Sequence, residues 1–283
     1  MIKLCAFADE AAENLEGQIS ALNKNRIGYI ELRSISGKNV ADFMPSEAAE
    51  YEKRLTDGGI AVWSIGSPLG KADIGVCFSE YSEKVKRVCE TANIFHTDKI
   101  RVFSFFHAYK ERNKVLDYLG GMVETAASFG VKLYHENEKE IYGDTAERVS
   151  DLLKNVKGLG GVYDPANYVQ VGQDMERALE LAFDKSDYFH IKDAIFSTGE
   201  IVPAGLGDGC ILRLLDKIDT DTVLTLEPHL ALFSAYRNID ASELRHKFLY
   251  ADNASAFDAA ADALKGLLEK SGYREKDGGY ERE

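Results

Sequence analysis

The sequence lacks any hydrophobic run that approaches the roughly 18 consecutive apolar residues of a membrane span. Its first ten residues, MIKLCAFADE, contain an apolar run that is short and soon followed by acids, unlike a secretory signal peptide. We therefore expect a cytoplasmic protein that is neither exported nor bound to a membrane.

Cysteine is scarce, and its spacing excludes two ways of stabilising a small domain. The four cysteines stand at positions 5, 77, 89 and 210, and no two of them form a CxxC pair. This spacing argues against a disulfide framework and against a structural zinc site. Scattered free cysteines fit the reducing environment of the cytoplasm.

Positive charge is also in short supply. The chain has 34 lysines and arginines against 47 acidic residues, which gives a net charge of −13 and an isoelectric point near 5.0. Nucleic-acid binding depends on basic side chains that neutralise phosphates and release their counterions. We therefore expect no nucleic-acid partner.

No stretch rich in proline, glycine or serine divides the 283 residues, and 45% of them are hydrophobic, enough for one large core. We predict a single domain over residues 1–272. The remaining segment, 273–283, ends in REKDGGYERE, which has almost nothing apolar to bury. We expect it to be a frayed C-terminal tail.

Eight short apolar runs alternate with amphipathic stretches, a pattern that is typical of repeated βα units and a parallel sheet. Eight such units within about 250 residues predict an α/β fold, a closed (β/α)8 TIM barrel. An open doubly wound sheet is the alternative, but no GxGxxG follows the first run. The predicted strands are Lys3–Asp9, Tyr29–Ser34, Ala61–Ser67, Lys99–Phe106, Lys132–Glu138, Gly161–Asn167, Tyr188–Ala194 and Thr222–His229.

The last four predicted strands each end in side chains that can bind a metal ion. They read LYHENE, VYDPAN, FHIKDA and LTLEPH, and they carry Glu136, Asp164, His190 and Glu227. Functional residues of such barrels lie where the strands end, so these four side chains are predicted to converge. Three carboxylates and one imidazole suit a single divalent ion such as Mn²⁺, Mg²⁺, Co²⁺ or Zn²⁺.

Each of these residues also has an ordinary structural explanation. Asp164, before Pro165, could form a turn or cap a helix, and His190 could be a core histidine. Four suitable residues on consecutive strands are harder to explain in that way, because packed acids repel one another unless a cation neutralises them. Glu138 competes with Glu136 as a ligand, since both point to the same face of one strand.

Other polar residues near strand ends are candidates for substrate binding. Lys192 points the same way as His190 and could contact a substrate oxygen or an enolate, although pairing with a neighbouring acid would also explain it. The weaker candidates are Asn167, His229, Arg33, His107 and His135. Aromatic residues such as Phe7, Trp63 and Phe103 could form a wall for a sugar ring, but they could equally fill the barrel.

The motifs HENE, YDPAN, HIKD, GLGDG and LEPH resemble the xylose isomerase-like superfamily of sugar phosphate isomerases and epimerases, over nearly the whole chain. The resemblance implies one metal ion on Glu136, Asp164, His190 and Glu227. It also implies proton exchange between the substrate and the two glutamates, and association into homodimers or higher homo-oligomers. Leu206, in the GLGDG loop, stands where relatives often carry an acid, so the usual contacts of that loop are in question.

The resulting hypothesis is a metal-dependent isomerase or epimerase acting on a small sugar, keto-sugar or polyol. The metal would acidify a C–H bond beside a carbonyl, and carboxylates would move the proton. No cluster of basic residues stands out in the loops of the predicted mouth, which favours an unphosphorylated substrate. The long segment Leu230–Asp252 is read either as a lid over the site or as a packed surface loop.

Three alternatives remain at this point. A dehydratase or other lyase, similar to inosose dehydratases or to enzymes that cleave C-glycosides, would share the metal site and the first proton transfer. A phosphodiesterase of the endonuclease IV type would need more ligands on the early strands and a basic surface. A non-catalytic sugar-binding barrel would have no use for two acid/base glutamates.

Overall fold

Eight parallel strands form a closed barrel in the computed structural model, which describes residues 1–231 and 250–282. The strands are β1 (Ile2–Ala6), β2 (Tyr29–Leu32), β3 (Ala61–Gly66), β4 (Lys99–Val102), β5 (Lys132–Glu136), β6 (Gly160–Tyr163), β7 (Tyr188–Ile191) and β8 (Thr222–Leu226). Each strand pairs with the next along the chain, and β8 pairs with β1 from Ile2 opposite Thr222 to Ala6 opposite Leu226. The predicted TIM barrel is confirmed.

Helices separate the strands and cover the outside of the barrel. They are α1 (Leu15–Lys24), α2 (Pro45–Asp57), α3 (Phe78–Ile94), α4 (Arg112–Ala127), α5 (Ala146–Asn155), α6 (Pro165–Gln170), α7 (Met175–Ala182), α8 (Ile211–Lys217) and α9 (Asn253–Lys270). Several begin at a side chain that accepts a backbone hydrogen bond, as Asn14 does from Gly17 and Thr145 does from Arg148. None of the described helices is long and apolar enough to cross a membrane.

The strands begin within one residue of the predicted positions but end earlier. The prediction for β6 runs to Asn167, whereas the strand ends at Tyr163 and α6 starts at Pro165. Pro165 suits the first position of a helix, and Asp164 before it caps the free N–H groups. The polar residues after each strand therefore lie in loops and at helix starts and do not continue the sheet.

The predicted frayed tail at 273–283 is wrong over the residues that the structure describes. Strands β9 (Tyr273–Lys276) and β10 (Gly279–Arg282) form a hairpin, and β10 pairs antiparallel with β1. Its turn has positive φ at Asp277 and Gly278, the Asp-Gly signal of a tight hairpin. Two buried tyrosines, Tyr273 and Tyr280, attach it to the barrel, which the polar composition of the tail conceals.

The core has two parts. Between the strands and the helices lies a continuous layer of aliphatic and aromatic side chains. Inside the barrel, near the starts of the strands, the rings of Trp63 and Tyr134 both contact the ring of Tyr188 edge-on. Trp63 thus fills the barrel and does not wall a sugar site. The interior near the strand ends is polar instead.

The segment Leu230–Asp252, predicted to be either a lid or a packed surface loop, lies mostly outside the described residues, which omit 232–249. That prediction stays a prediction.

Candidate functional site

A small cleft opens at the carboxyl ends of the strands. Every described side chain that lines it is polar or charged, and the lining residues are Arg33, Lys71, Arg101, Glu136, Glu138, Lys139, Asn167, Gln170, Lys192, Glu227 and His229. A cleft with this lining favours a highly polar ligand.

Four side chains converge beneath this cleft, as the sequence predicts. Each of Glu136, Asp164, His190 and Glu227 offers one ligand atom, and these atoms lie within 4.8 Å of one another. All four side chains are buried. His190 Nδ1 lies 3.0 Å from Glu136 Oε1 and 3.5 Å from Glu227 Oε2, so both glutamates face the same ring nitrogen.

Asp164 combines the two roles that the sequence left open. Its Oδ1 accepts a hydrogen bond from the backbone N–H of Asn167 and caps α6. Its Oδ2 is buried without a hydrogen bond to any described group and lies 3.0 Å from Lys192 Nζ. Burial raises the pKa of Asp164 to about 7. One oxygen therefore organises the helix, and the other is left for a cation.

Glu31 holds His190 from the other side. Glu31 is fully buried, and its Oε2 lies 3.2 Å from His190 Nε2 and accepts a hydrogen bond from the hydroxyl of Thr225. The other oxygen, Oε1, accepts from the hydroxyl of Tyr188. A carboxylate at Nε2 favours a proton on that nitrogen, which leaves Nδ1 available to bind an ion at the cluster. The partners of metal-binding histidines commonly act in this way.

The surrounding carboxylates also shift the pKa of His190. Burial opposes protonation of its ring, but the carboxylates of Glu136 and Glu31 outweigh burial and hold the pKa of His190 well above its ordinary value. A bound cation would reverse this electrostatic preference.

Lys192 lies between two members of the cluster. Its Nζ is 3.0 Å from Asp164 Oδ2 and 3.1 Å from Glu227 Oε2. Burial opposes its charge, yet the carboxylates of Asp164 and Glu227 outweigh burial and hold the pKa of Lys192 well above its ordinary value. The ammonium partly neutralises the carboxylates at the position where the sequence predicts a metal ion.

Arg33 is held by a dense hydrogen-bond network. Its guanidinium donates to both oxygens of Asp9 at 2.9 Å, to Glu10 at 3.1 Å and to Glu227 Oε1 at 3.2 Å. Glu10, Glu227 and His229 form a second group that could hold an ion, but the guanidinium already supplies positive charge there. Arg33 therefore holds Glu227 in place, in addition to lining the cleft.

Arg101 and Lys71 reach the cleft from the other side and were not singled out in the sequence. Arg101 NH1 lies 3.3 Å from Glu136 Oε2, and Lys71 Nζ pairs with Glu138 at 2.9 Å. Both cations lie against the ring of Phe103, at 4.3 Å for Lys71 Nζ and 4.4 Å for the central carbon of the Arg101 guanidinium. Arginine within a predicted strand gave no signal, because the sequence does not show which face of the barrel it occupies.

The remaining predicted residues divide into those inside the cleft and those outside it. Asn167 lines the cleft and donates to the backbone carbonyl of Asn137 at 2.8 Å and to Glu136 Oε1 at 3.4 Å. His229 lines it too, with its backbone N–H donating to Glu10. Glu138 pairs with Lys71 and does not belong to the four-residue cluster, so Glu136 is the better-placed candidate ligand.

Two histidines proposed from the sequence lie elsewhere. The ring of His107 is 82% exposed and pairs with Asp73 at 2.7 Å, because a positive φ at His107 turns the chain away after β4. His135 alternates with Glu136 along β5 and is therefore directed to the other face of the strand, where its ring packs against Gly143. Burial lowers the pKa of His135 to about 3.

The GLGDG loop wraps around a carboxylate that the sequence did not single out. Asp193 accepts hydrogen bonds from the backbone N–H groups of Gly205, Gly207 and Gly209 at 2.8 to 3.0 Å. A Cβ added at Gly207 would lie 2.4 Å from Asp193 Oδ1 and 2.6 Å from the carbonyl oxygen of Ala194. The glycines therefore serve close approach to Asp193 and anchor the loop that follows β7.

The donor set fits a divalent cation. Around the cluster, the described residues include six buried carboxylates and three buried basic side chains, namely Asp9, Glu10, Glu31, Glu136, Asp164 and Glu227 against Arg33, Arg101 and Lys192. An excess of buried negative charge is costly unless protons or a cation neutralise it. Oxygen ligands with one imidazole are the set that Mn²⁺, Mg²⁺, Co²⁺ and Zn²⁺ accept. The cluster could hold such an ion.

Comparison with known proteins agrees with this architecture. A family model described as the xylose isomerase-like TIM barrel matches residues 22–267. No curated protein sequence matches the chain at a significant level.

Several solved structures share the fold at low identity. A structure of the IolI protein with a bound zinc atom has 18% identity and a TM-score of 0.73, over 95% of this chain and 99% of that chain. A probable 3-DHS dehydratase, AsbF from Bacillus anthracis, has 17% identity and a TM-score of 0.71, over 94% and 99%. D-psicose 3-epimerase from Clostridium cellulolyticum H10 has 14% identity and a TM-score of 0.72, over 94% and 98%. At these identities the likeness shows the fold.

Proposed function

The chain belongs to the xylose isomerase-like TIM barrel family, and on that premise we propose that it is a divalent-metal-dependent sugar isomerase or epimerase. One observation carries the proposal: four buried side chains able to hold an ion converge under a polar cleft, and two of them are glutamates from the outer strands of the group. The substrate would be a keto-sugar or a related polyol, and the reaction a proton transfer beside a carbonyl.

Glu136, Asp164, His190 and Glu227 would hold the ion. When bound, the ion supplies a Lewis acid that acidifies the C–H bond beside a substrate carbonyl. Asn167 and Arg33 hold Glu136 and Glu227 in their orientations from outside the cluster. The IolI structure with its bound zinc supports a metal on this fold, although it does not identify the metal used here.

Glu136 and Glu227 are the proposed acid and base. Each has two oxygens in different surroundings: Glu227 Oε2 faces His190 and Lys192, whereas Oε1 faces Arg33 and His229. A carboxylate arranged in this way can use one oxygen as a ligand and the other to move a proton. Epimerisation needs proton removal from one face of the carbon and delivery to the other, which requires two such groups.

Lys192 and His229 are the proposed orienting groups. Lys192 Nζ lies among the cluster carboxylates and would donate to a substrate oxygen whose negative charge increases as the proton leaves. Burial holds the pKa of His229 well below its ordinary value, so the neutral ring can donate or accept one hydrogen bond with a hydroxyl.

Elimination is the second candidate reaction, and the likeness to a probable dehydratase favours keeping it. The same base would remove the same proton, and the electron pair would then expel a leaving group from the neighbouring carbon instead of being reprotonated. Deuterium uptake into recovered substrate supports isomerisation, whereas release of water or an alcohol supports the lyase.

The first experiment combines metal analysis with proton exchange. Protein purified without chelator should contain about one divalent ion per chain, and His190→Ala should lose most of it. His96→Ala is the matched control, because that ring is 78% exposed on the surface. A panel of keto-sugars is then incubated in D₂O with metal-loaded wild type. Wild type that neither contains nor binds a divalent ion would refute the proposal.

A further inference from the structure

Two arginines border the cluster, and they differ in how their donors are used. Arg33 donates four hydrogen bonds to carboxylates, two of them in a parallel fork to Asp9 at 2.9 Å. Arg101 is only 5% exposed, yet its guanidinium donates no hydrogen bond to any residue within 1–231 or 250–282. Its contacts are ion pairs of 3.3 Å with Glu136 and 3.8 Å with Glu31, longer than a bidentate pair.

An arginine in this state has donors to offer a ligand. Guanidinium carries five N–H donors in a fixed plane, and burying them without acceptors is costly. Arg101 Nε is buried without a hydrogen bond, while the side chain as a whole lines the cleft. The ligand that best satisfies such a fork is a planar or tetrahedral anion.

Lys71 supplies a second positive charge at the same place. Lys71 Nζ and the guanidinium of Arg101 both lie against the ring of Phe103, and both side chains line the cleft. The Lys71 side chain is 20% exposed, and its Nζ forms an ion pair with Glu138 Oε2 at 2.9 Å. Strands β2, β3 and β4, with the loops that follow them, contribute three side chains to the cleft lining. All three are basic, namely Arg33, Lys71 and Arg101.

In the proposed metal-loaded protein, less negative charge would be available near Arg101 than in the metal-free protein. Its nearest carboxylate is Glu136, which would share its charge with the ion. No apolar or aromatic residue is among the described residues that line the cleft, whereas ligand pockets are usually lined mainly by such residues.

We propose that Arg101 and Lys71 form a subsite for an anionic group of the substrate, a carboxylate or a phosphate, so that the substrate is a sugar acid or a sugar phosphate. This inference rests on the proposed function and specifies its substrate class. If the anionic group is a phosphate, the proposal reverses the expectation of an unphosphorylated substrate, which rested on the absence of a basic cluster in the loops. The basic residues are separated in the sequence and meet only in the barrel.

Three ligands with one ring test the subsite: D-glucose, D-glucuronate and D-glucose 6-phosphate, which differ only in the group at the sixth carbon. Binding to Mn²⁺-loaded protein is measured by calorimetry at about 0.05 M ionic strength, where charge effects are not screened. We expect wild type to bind at least one of the anions about tenfold more tightly than D-glucose. The better of the two distinguishes a carboxylate from a phosphate.

Arg101→Gln should bring the three affinities to within about twofold of one another, and Lys71→Gln should reduce the preference in part. Arg213→Gln, at an exposed surface pair with Glu176, is the matched control and should keep the preference. If Arg101→Gln fails to fold, the partly exposed Lys71 carries the test, and an unchanged preference in that variant overturns the proposal.

The proposal is also overturned if wild type binds the three ligands with equal affinity. It is overturned as well if Arg101→Gln keeps the wild-type preference for the anions, because the metal alone would then explain that preference. Metal content measured in the same samples separates this failure from failure of the proposed function. Loss of the anion preference in Arg101→Gln that still contains its metal supports the subsite. If wild type binds no metal but still prefers the anions, the subsite is supported and metal-dependent catalysis is refuted.

Discussion

The two halves of the barrel mouth use charge in opposite ways. The half formed by β5 to β8 brings three carboxylates and one imidazole within 4.8 Å of one another, with Lys192 among them. The half formed by β2 to β4 contributes only Arg33, Lys71 and Arg101 to the cleft lining. Acids that must share a small space require a cation, whereas basic groups on a cleft wall suit an anion.

From this difference we expect the acidic side of the mouth to carry out the reaction and the basic side to select the ligand. Changes among the acids should act on metal binding and on the proton-transfer rate. Changes at Arg33, Lys71 and Arg101 should act on stability and on ligand selection. The following variants test that division.

The largest effect is expected from Glu227→Gln, which keeps the shape of the side chain and removes the proposed base. We expect the rate of substrate deuterium exchange to fall by about 10³-fold, within the range that general acid–base groups contribute. Mass spectrometry of recovered substrate measures it. Glu83→Gln, in an exposed pair on α3, is the control. A variant that retains more than about a tenth of the wild-type rate would remove Glu227 from the mechanism.

Arg33→Met tests whether the basic half supports the fold. The substitution leaves Asp9 and Glu10 buried without their main cation, which should cost about 3–5 kcal/mol of unfolding free energy. Denaturant unfolding of metal-free protein measures the change. Arg177→Met, whose ion pairs are exposed, should unfold like wild type. Equal stability of the two variants would show that Arg33 is not structural.

Lys192→Met separates metal affinity from catalysis. Removing the ammonium 3.0 Å from Asp164 should raise affinity for Mn²⁺ by about tenfold, because a cation no longer competes for the same carboxylates. The exchange rate should fall by about 10²-fold, because the donor to the substrate oxygen is lost. Competition with a fluorescent chelator measures the first quantity. Weaker metal binding in the variant would contradict the competition.

The smallest expected effect is a pH dependence of stability in chelated protein. Burial raises the folded-state pKa of Glu10 to about 8 and of Asp164 to about 7, so their contribution to stability is lost as pH rises through those values. The buried neutral rings of His135 and His229 already contribute fully above about pH 6.5. Unfolding free energy should therefore decrease between pH 6.5 and 8, measured by denaturant titration.

Added Mn²⁺ should reduce that decrease, because a cation stabilises the ionised form of Asp164. Glu10→Gln should flatten the profile at its alkaline end without metal. A profile of chelated wild type that rises from pH 6.5 to 8 would contradict the charge balance described for the cluster.

Much of the fold could be predicted from the sequence because strands buried on both faces must be continuously apolar. That requirement placed the starts of β1 to β8 to within one residue. Helix α6 and the C-terminal hairpin could not be found in this way. The first is one turn and a half set by Asp164 and Pro165, and the second depends on two tyrosines in a polar tail.

The candidate site divides in the same manner. Strand ends identified Glu136, Asp164, His190 and Glu227, since barrel strands bring successive ends together. The choice between Glu136 and Glu138, and the position of His107 outside the cleft, depended on side-chain direction near the end of each strand.

By itself, the sequence determined the barrel and the residue types at the ends of its later strands, because burial and strand order are written in local patterns. Only the tertiary structure decided that Glu31 orients His190, that Asp193 anchors the glycine loop, and that Arg101 and Lys71 share one aromatic ring. The first of these contacts joins strands 159 residues apart in the chain, whereas the second joins Asp193 to glycines 12 to 16 residues later. The energies of these contacts depend on distances between side chains that closure of the barrel fixes and that no local pattern records.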